Sequence, residues 1–241
     1  MKIEYASHYD DLYWKGKKTY RDGNGNEQHY HGPGLAWDGF DLVADALKRL
    51  LPGKNLLDIG CGGGDLAHRM LKRGYDAYGI DISTYAIEHC HTDMRGRLLI
   101  SNITTCPDLL GIPTKFDVVM ATDLLEHIYM EDLDTTFDWM VSKANRWLFF
   151  LIAIVDGAVG KEGEFVAKRG EPIPLQFEAT AISGHVNVRT WQFWVKYFKE
   201  KGLTIRWDLQ YIFQMYRERN PAWQATGGWN HGSTWILEKT V

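Results

Sequence analysis

Leu57-Asp58-Ile59-Gly60-Cys61-Gly62-Gly63-Gly64-Asp65 is the most informative run in this 241-residue chain. Asn55 to Ile59 reads as a buried strand. The glycines after it let the backbone turn sharply and approach a ligand with no side chain in the way. A helix expected over residues 65–73 then points its N-terminus, with its unpaired N–H groups, at the same spot. The same rhythm continues downstream. Residues 76–82, 97–103, 116–121 and 147–154 read as strands, with helices expected over 83–91 and 131–145. The second of these places Leu133, Phe137, Met140 and Ala144 on one face. Upstream, Phe40, Val43, Leu47 and Leu50 mark a helix that starts near Asp38 and ends at Pro52-Gly53. Strands alternating with helices predict an α/β fold whose mostly parallel sheet is covered on both faces. Thr190 reads as the N-cap of a later helix with Trp191, Trp194, Val195 and Phe198 buried, closed by Gly202. Residues 203–213 and 233–238 read as a final antiparallel strand pair, joined by the loop holding Pro221, Trp223 and Gly227-Gly228.

Whole-chain numbers narrow the function. The length suits one domain, and a formal net charge of −4 gives no electrostatic reason for a nucleic-acid partner. Three scattered cysteines, Cys61, Cys90 and Cys106, are too few for a disulfide framework and point to a reducing compartment. The N-terminal Met1-Lys2-Ile3-Glu4-Tyr5 lacks the apolar stretch of a signal peptide, and no apolar run reaches the roughly 18 residues a membrane span needs. A soluble, cytoplasmic protein is expected. Ten tryptophans and twelve tyrosines crowd towards residues 5–37 and 191–235, as pocket walls or as plain core. The chain divides into an N-terminal cap, 1–37, and a main domain, 38–241, in which the irregular, proline-bearing stretch 156–188 is expected to be a substrate-side insertion.

A glycine-rich turn after a strand serves nicotinamide dehydrogenases as well as other nucleotide-binding enzymes. The dinucleotide fingerprint wants glycine at the first, third and sixth positions, and the sixth position counted from Gly60 is Asp65. Asp58, just before the turn, would repel a pyrophosphate but suits the ammonium group of a bound amino acid. Asp81, ending the second strand, can accept from both hydroxyls of a ribose in either cofactor. Asp58 and the missing sixth glycine favour S-adenosylmethionine.

Leu57–Gly64, together with Gly79-Ile80-Asp81-Ile82-Ser83, resembles the first two motifs of class I S-adenosylmethionine-dependent methyltransferases. Phe116-Asp117-Val118-Val119-Met120, running on to Leu125-Glu126-His127-Ile128, is similar to the fourth-strand motif of their small-molecule branch, the ubiquinone-biosynthesis type in particular. The resemblance covers residues 40–155 well and 185–240 more loosely. It implies a Rossmann-like sheet of seven strands with the last antiparallel. It also implies cofactor contacts: the turn residues Asp58, Gly60, Cys61, Gly62 and Gly64 near the methionine portion, Asp81 at the ribose, Ile82 on the adenine, and Asp123 at the mouth. Asn102 and Ile103 stand where the family reads the adenine amino edge. Asn102 replaces the usual acid, though an amide oxygen also accepts. Each of these residues has a plainer reading as a turn cap or core.

Methyl transfer from a sulfonium is an in-line displacement that needs alignment above all, with a base where the nucleophile is a hydroxyl. His185, in Ser183-Gly184-His185-Val186-Asn187, is the preferred candidate base; His127 and then Glu178 follow. Ala121-Thr122-Asp123-Leu124 lacks the Asn/Asp-Pro-Pro-aromatic signature of enzymes that methylate DNA amino groups. Asp123 and Asp156 do not reproduce the Asp-Asn pair of metal-dependent catechol sites, so no metal is expected. His89-Cys90-His91 are consecutive on an expected helix and do not face one way, so they are not expected to form a metal site. Tyr5, Tyr9, Tyr13 and Trp14 read as a flap over the site or as an amphipathic helix, and Lys15-Gly16-Lys17-Lys18 as a solvated turn. A methyltransferase acting on a small-molecule acceptor is the leading reading. One acting on RNA or protein, and a non-catalytic cofactor-binding partner subunit, are the alternatives. Oligomeric state is not legible.

Overall fold

The computed structural model describes residues 3–22, 24–31, 39–155, 163–219, 221 and 234–239. Asp156 and the loop holding Trp223 and Gly227-Gly228 lie outside the described residues.

The chain opens with two short helices, Tyr5–His8 (α1) and Asp11–Trp14 (α2), and a hairpin of Thr19–Arg21 and Glu27–His29. The fourfold tyrosine spacing suggested one helix. It breaks because the Asp10 carboxylate accepts from the Tyr13 N–H at 3.0 Å and starts a new one. The hairpin turn is closed by Asp22, whose Oδ1 accepts from the N–H groups of Asn24 and Asn26.

After Phe40–Leu50 (α3) come Asn55–Ile59 (β1), Asp65–Lys72 (α4), Asp76–Asp81 (β2), Thr84–Glu88 (α5) and Leu98–Ile100 (β3). Phe116–Thr122 (β4), Met130–Lys143 (α6) and Ala144–Leu151 (β5) follow, and then the short Glu178–Ala181 (α7) and Trp191–Glu200 (α8). Leu203–Ile205 (β6), Trp207–Glu218 (α9) and Thr234–Lys239 (β7) complete the domain. The seven strands lie in the order β6-β7-β5-β4-β1-β2-β3. The first five run parallel, and β7 is antiparallel to both β5 and β6. Side chains of β1 alternate: Leu57 and Ile59 join the core under α6 and α8, and Leu56 joins the core under α3, α4 and α9. Strand order reverses between β1 and β4, and the carboxyl ends there form the crevice in which such sheets hold ligands. Among the described residues no helix is long and apolar enough to cross a membrane.

One expected element is wrong. Residues 203–213 do not form one strand: β6 ends at Ile205, and Trp207–Glu218 is helical. Leu203, Ile205, Trp207, Leu209, Tyr211 and Phe213 alternate as a strand would, and that alternation masks a helix whose inward face is Leu209, Gln210 and Phe213. Packing selects the helix. Gln210 and Phe213, three apart, are buried, while Tyr211 is 66% exposed. The third strand is also shorter than expected, because Ile103–Thr105 coils into a single tight turn capped by Asn102.

Under the helical arrangement, Phe213→Ala should cost about 3–5 kcal/mol in urea denaturation, and Tyr211→Ala no more than about 0.5 kcal/mol. Equal and large losses at both positions would restore the strand, in which the two residues share a face.

Candidate active site

A cavity opens at the reversal point. Gly60 from the turn after β1, Asp81 and Ile82 from the end of β2, Asn102 and Ile103 after β3, and Asp123 and His127 after β4 line it. Tyr5, Tyr9, Tyr13 and Trp14 of the N-terminal segment form the remaining wall.

The glycine turn is held in a conformation that glycine favours. Gly60, Gly62 and Gly64 have φ of 74°, 54° and 74°. Asp81 locks the turn against the second strand: its Oδ2 accepts from Gly62 N and its Oδ1 from Ser83 N, each at 2.8 Å. Burial pushes the Asp81 carboxyl up in pKa, and these backbone bonds push it back down. Asp58 is 2% exposed, and its Oδ1 is buried without a hydrogen-bond partner. Burial first, and the Asp81 charge second, raise its pKa well above the usual carboxylate range. A buried acid beside a tight glycine turn, with one oxygen unmatched, is a place for a cationic group.

Not every expected contact residue faces the cavity. Cys61 turns its sulfur towards Gly79, where an added Cβ would stand 2.7 Å from it, so it packs on β2. Gly64 lies against Leu98. These two shape the turn rather than the wall, and Asp58 and Gly62 do not line the cavity either. Asn102 lines the cavity, but its amide oxygen already accepts from Thr104 N at 3.0 Å and from the Thr104 hydroxyl at 2.9 Å. Asp123 sits at φ 51°, a left-handed conformation uncommon outside glycine, at the end of β4.

Polar groups collect around His127, which alone among Glu126, His127, His185 and Asn187 lines the cavity. Glu126 is fully buried; its Oε1 accepts from Ala153 N at 2.8 Å and its Oε2 has no partner. Burial, then the neighbouring Asp123 charge, raises its pKa well above the usual range. His127 Nδ1 is 2.8 Å from the Tyr9 hydroxyl, and the His185 ring stands edge-on to His127 with centroids 4.8 Å apart. Burial lowers the pKa of His127 well below the ordinary value and pushes His185 down to about 4, so both are neutral near neutral pH. Asn187, fully buried, has no partner for either amide atom. Glu178 lies elsewhere, accepting from Arg21 N at 3.1 Å, and does not line this cavity.

The aromatic segment is fastened over the site by directional bonds. Trp14 Nε1 donates to Ser83 Oγ at 2.8 Å, and the Ser83 hydroxyl donates to the Tyr9 carbonyl at 2.6 Å. Tyr13 donates to the Ser183 carbonyl at 3.0 Å. The Trp14 ring lies against Gly62, where an added Cβ would be 2.9 Å from it. Sequence reasoning missed the roles of Ser83, Glu126 and Asn187. Ser83 carried a cap signal before α5, but its link to Trp14 and Tyr9 spans residues far apart in sequence. Lys15 and Lys18 pair with Asp11 and Asp10, as a solvated turn would.

Among the described residues, two groups bring histidine and carboxylate donors within 4.8 Å of one another: Asp65, His68 and His91, and Glu126, His127 and His185. In the first, Asp65 already pairs with Arg69 and His91, and the His68 and His91 rings stack. His89 Nδ1 lies 2.7 Å from the Tyr85 carbonyl oxygen, while His91 belongs to the first group.

His8, 6% exposed with Nε2 3.1 Å from the Ile182 carbonyl oxygen, is also pushed down to about 4, by burial first and the Lys18 charge second. Both His8 and His185 start from 6.5, so the unfolded chain binds protons between about 6.5 and 4 that the folded chain refuses. Their contribution to stability is complete above that window and is lost as pH falls through it. His8→Gln should therefore gain Tm relative to wild type as pH drops from about 7 to about 5, measured by thermal melts. A constant difference across that range would show that His8 is not held neutral.

Residues 35–206 match the family described as "Methyltransferase domain". The "Ubiquinone biosynthesis O-methyltransferase" of Actinobacillus pleuropneumoniae is 33% identical over 127 residues, 49% of this chain and 52% of the relative. The mitochondrial enzyme of the same description from Schizosaccharomyces pombe is 31% identical over 134 residues, 53% of this chain and 47% of its own. The chain thus spans about half the length of the curated relatives it matches. In fold it is similar to an S-adenosylmethionine-dependent methyltransferase from Clostridium acetobutylicum, with a TM-score of 0.56, 13% identity, and 86% and 93% of the two chains covered. The plantazolicin methyltransferase BpumL gives a TM-score of 0.57 at 15% identity, covering 84% and 85%. The glycine turn, the reversal-point cavity and the match over residues 35–206 lead to one assignment: this chain belongs to the methyltransferase domain family.

Proposed function

We propose that this chain transfers a methyl group from S-adenosylmethionine to an oxygen or nitrogen nucleophile of a small-molecule acceptor. The observation that carries the reading is the buried, unmatched Asp58 oxygen next to the Asp81-locked glycine turn. An ammonium beside Asp58 and a ribose beside Asp81 satisfy the two acids at once, whereas a pyrophosphate, rich in acceptors, offers neither acid a donor. The cofactor supplies a methyl group on a positively charged sulfur that is already a good leaving group. Asp81 keeps lone pairs for ribose hydroxyls beyond those spent on Gly62 and Ser83. Ile82 and Ile103 offer apolar surface to the adenine. Asp123, fixed in its left-handed conformation, stands at the mouth beside the methionine portion.

For the acceptor, the chain's task is alignment and exclusion of water. The N-terminal segment, from 1–37, and the insertion, 156–188, are the parts that enclose it. Packing supports this: Ile3 and Tyr129 share an apolar cluster with Phe165, Ile173 and Val188. His185, neutral at ordinary pH, is the proposed base for a hydroxyl, and the two ubiquinone O-methyltransferases support an oxygen acceptor. No metal is invoked: Glu126 Oε1 already accepts from Ala153 N, and burial raises the Glu126 pKa, which disfavours the anion that a cation would need. The three cysteines are unpaired, which supports a cytoplasmic location.

Incubation with a methyl-labelled donor and a panel of hydroxylated and amine acceptors, with and without EDTA, tests the reading. Chelator-insensitive labelling is expected. Asp81→Asn should weaken cofactor binding on the order of 100-fold, through loss of charge-assisted hydrogen bonds. His185→Gln should lower kcat at least about 100-fold with little change in cofactor affinity. No transfer to any acceptor would remove the enzymatic reading, and loss of transfer in EDTA would remove the metal-free one.

A further inference from the structure

Tyr9 lies outside the family match at 35–206, yet its hydroxyl reaches His127 at 2.8 Å, and that is its only hydrogen bond among the described residues. His127 is neutral, so a single proton is divided between its two ring nitrogens, and the tautomer is set by what each nitrogen meets. A phenol is a stronger donor than a neutral imidazole N–H, and an imidazole lone pair is a stronger acceptor than a phenol oxygen. If the Tyr9 O–H donates to Nδ1, both groups are satisfied. If Nδ1–H donates instead, the Tyr9 proton is left without a protein acceptor.

The backbone is arranged for this contact. Gly184 has φ 96°, and a Cβ there would stand 2.4 Å from the Tyr9 oxygen and 2.6 Å from His127 Nδ1. Any side chain at position 184 would wedge the pair apart. The Tyr9 main chain is pinned from the other side by the Ser83 hydroxyl at 2.6 Å. His127 itself lines the cavity, and its Nε2 makes no protein hydrogen bond among the described residues.

We propose that Tyr9 is a positioning residue that holds His127 in the tautomer with its proton on Nε2, so that His127 presents an N–H donor to the acceptor rather than a base. The inference rests on the methyltransferase reading for its consequence, not for its geometry. Proton removal then belongs to another group, such as His185, and His127 orients the nucleophilic oxygen by donating to it.

The test is long-range ¹H–¹⁵N correlation of the histidine side chains in the full-length, chelator-treated protein, with His127 assigned by its loss in His127→Gln. The expected pattern is a protonated Nε2 and an unprotonated Nδ1. Tyr9→Phe and Gly184→Ala should each shift His127 towards the other tautomer and lower kcat about tenfold, with cofactor affinity by calorimetry held within about threefold. A protonated Nδ1 in the wild type overturns the proposal, as does a His127 spectrum unchanged in Tyr9→Phe. The wild-type tautomer is read without turnover. A protein that showed the expected tautomer but transferred no methyl group would count against the enzymatic reading alone.

Discussion

The carboxylate of Asp81 holds the site together. One oxygen fixes Gly62 in the turn after the first strand, and the other fixes Ser83 at the start of the helix after the second. Two loops from neighbouring strands are thereby set at one distance from each other, at the place where the sheet reverses its order. A buried carboxylate with both oxygens engaged by backbone N–H groups is costly to desolvate and specific in what it allows. The left-handed glycines, the cavity floor and the position of Ser83 all follow from it. Ser83 in turn ties down Trp14 and Tyr9, so the order created at Asp81 passes to the segment that covers the cavity.

Much of this was legible in the amino-acid sequence, for physical reasons. Asn55–Ile59 places Leu56 on one face and Leu57 and Ile59 on the other and is followed at once by glycines, a combination that suits a buried strand ending in a tight turn. Thr190 and Gly202 marked the ends of α8 because caps are local: the Thr190 hydroxyl accepts from Phe193 N, and Gly202 takes φ 72°. Residues 203–213 misled because their apolar residues alternate as in a strand, while the inward face of the helix includes the polar Gln210. Only the exposure of Tyr211 and the burial of Phe213 in the folded chain separate helix from strand. The tyrosines were visible, but their order was not, since nothing local says that Tyr9 will meet His127 across 118 positions of chain.

The far end of the cavity differs in character from the cofactor end. Near Gly60 the wall is glycine backbone and Asp81, while at His127 it is backed by His185, by Glu126, whose pKa burial raises, and by the unmatched Asn187, none of which lines the cavity itself. Water competes poorly there, so a single hydrogen bond can set the direction of a proton. The histidine ranked first from sequence, His185, and the one ranked second, His127, turn out to be neighbours in one cluster. Their division of labour depends on partners that sequence does not disclose.

The most direct test of the central claim is calorimetric titration of the purified chain with S-adenosylmethionine, its demethylated product and NAD in parallel. Binding of the first two without NAD is the predicted result, because the proposal pairs Asp58 with an ammonium and Asp81 with a ribose. Binding of NAD alone would contradict the account and return the glycine turn to a dinucleotide.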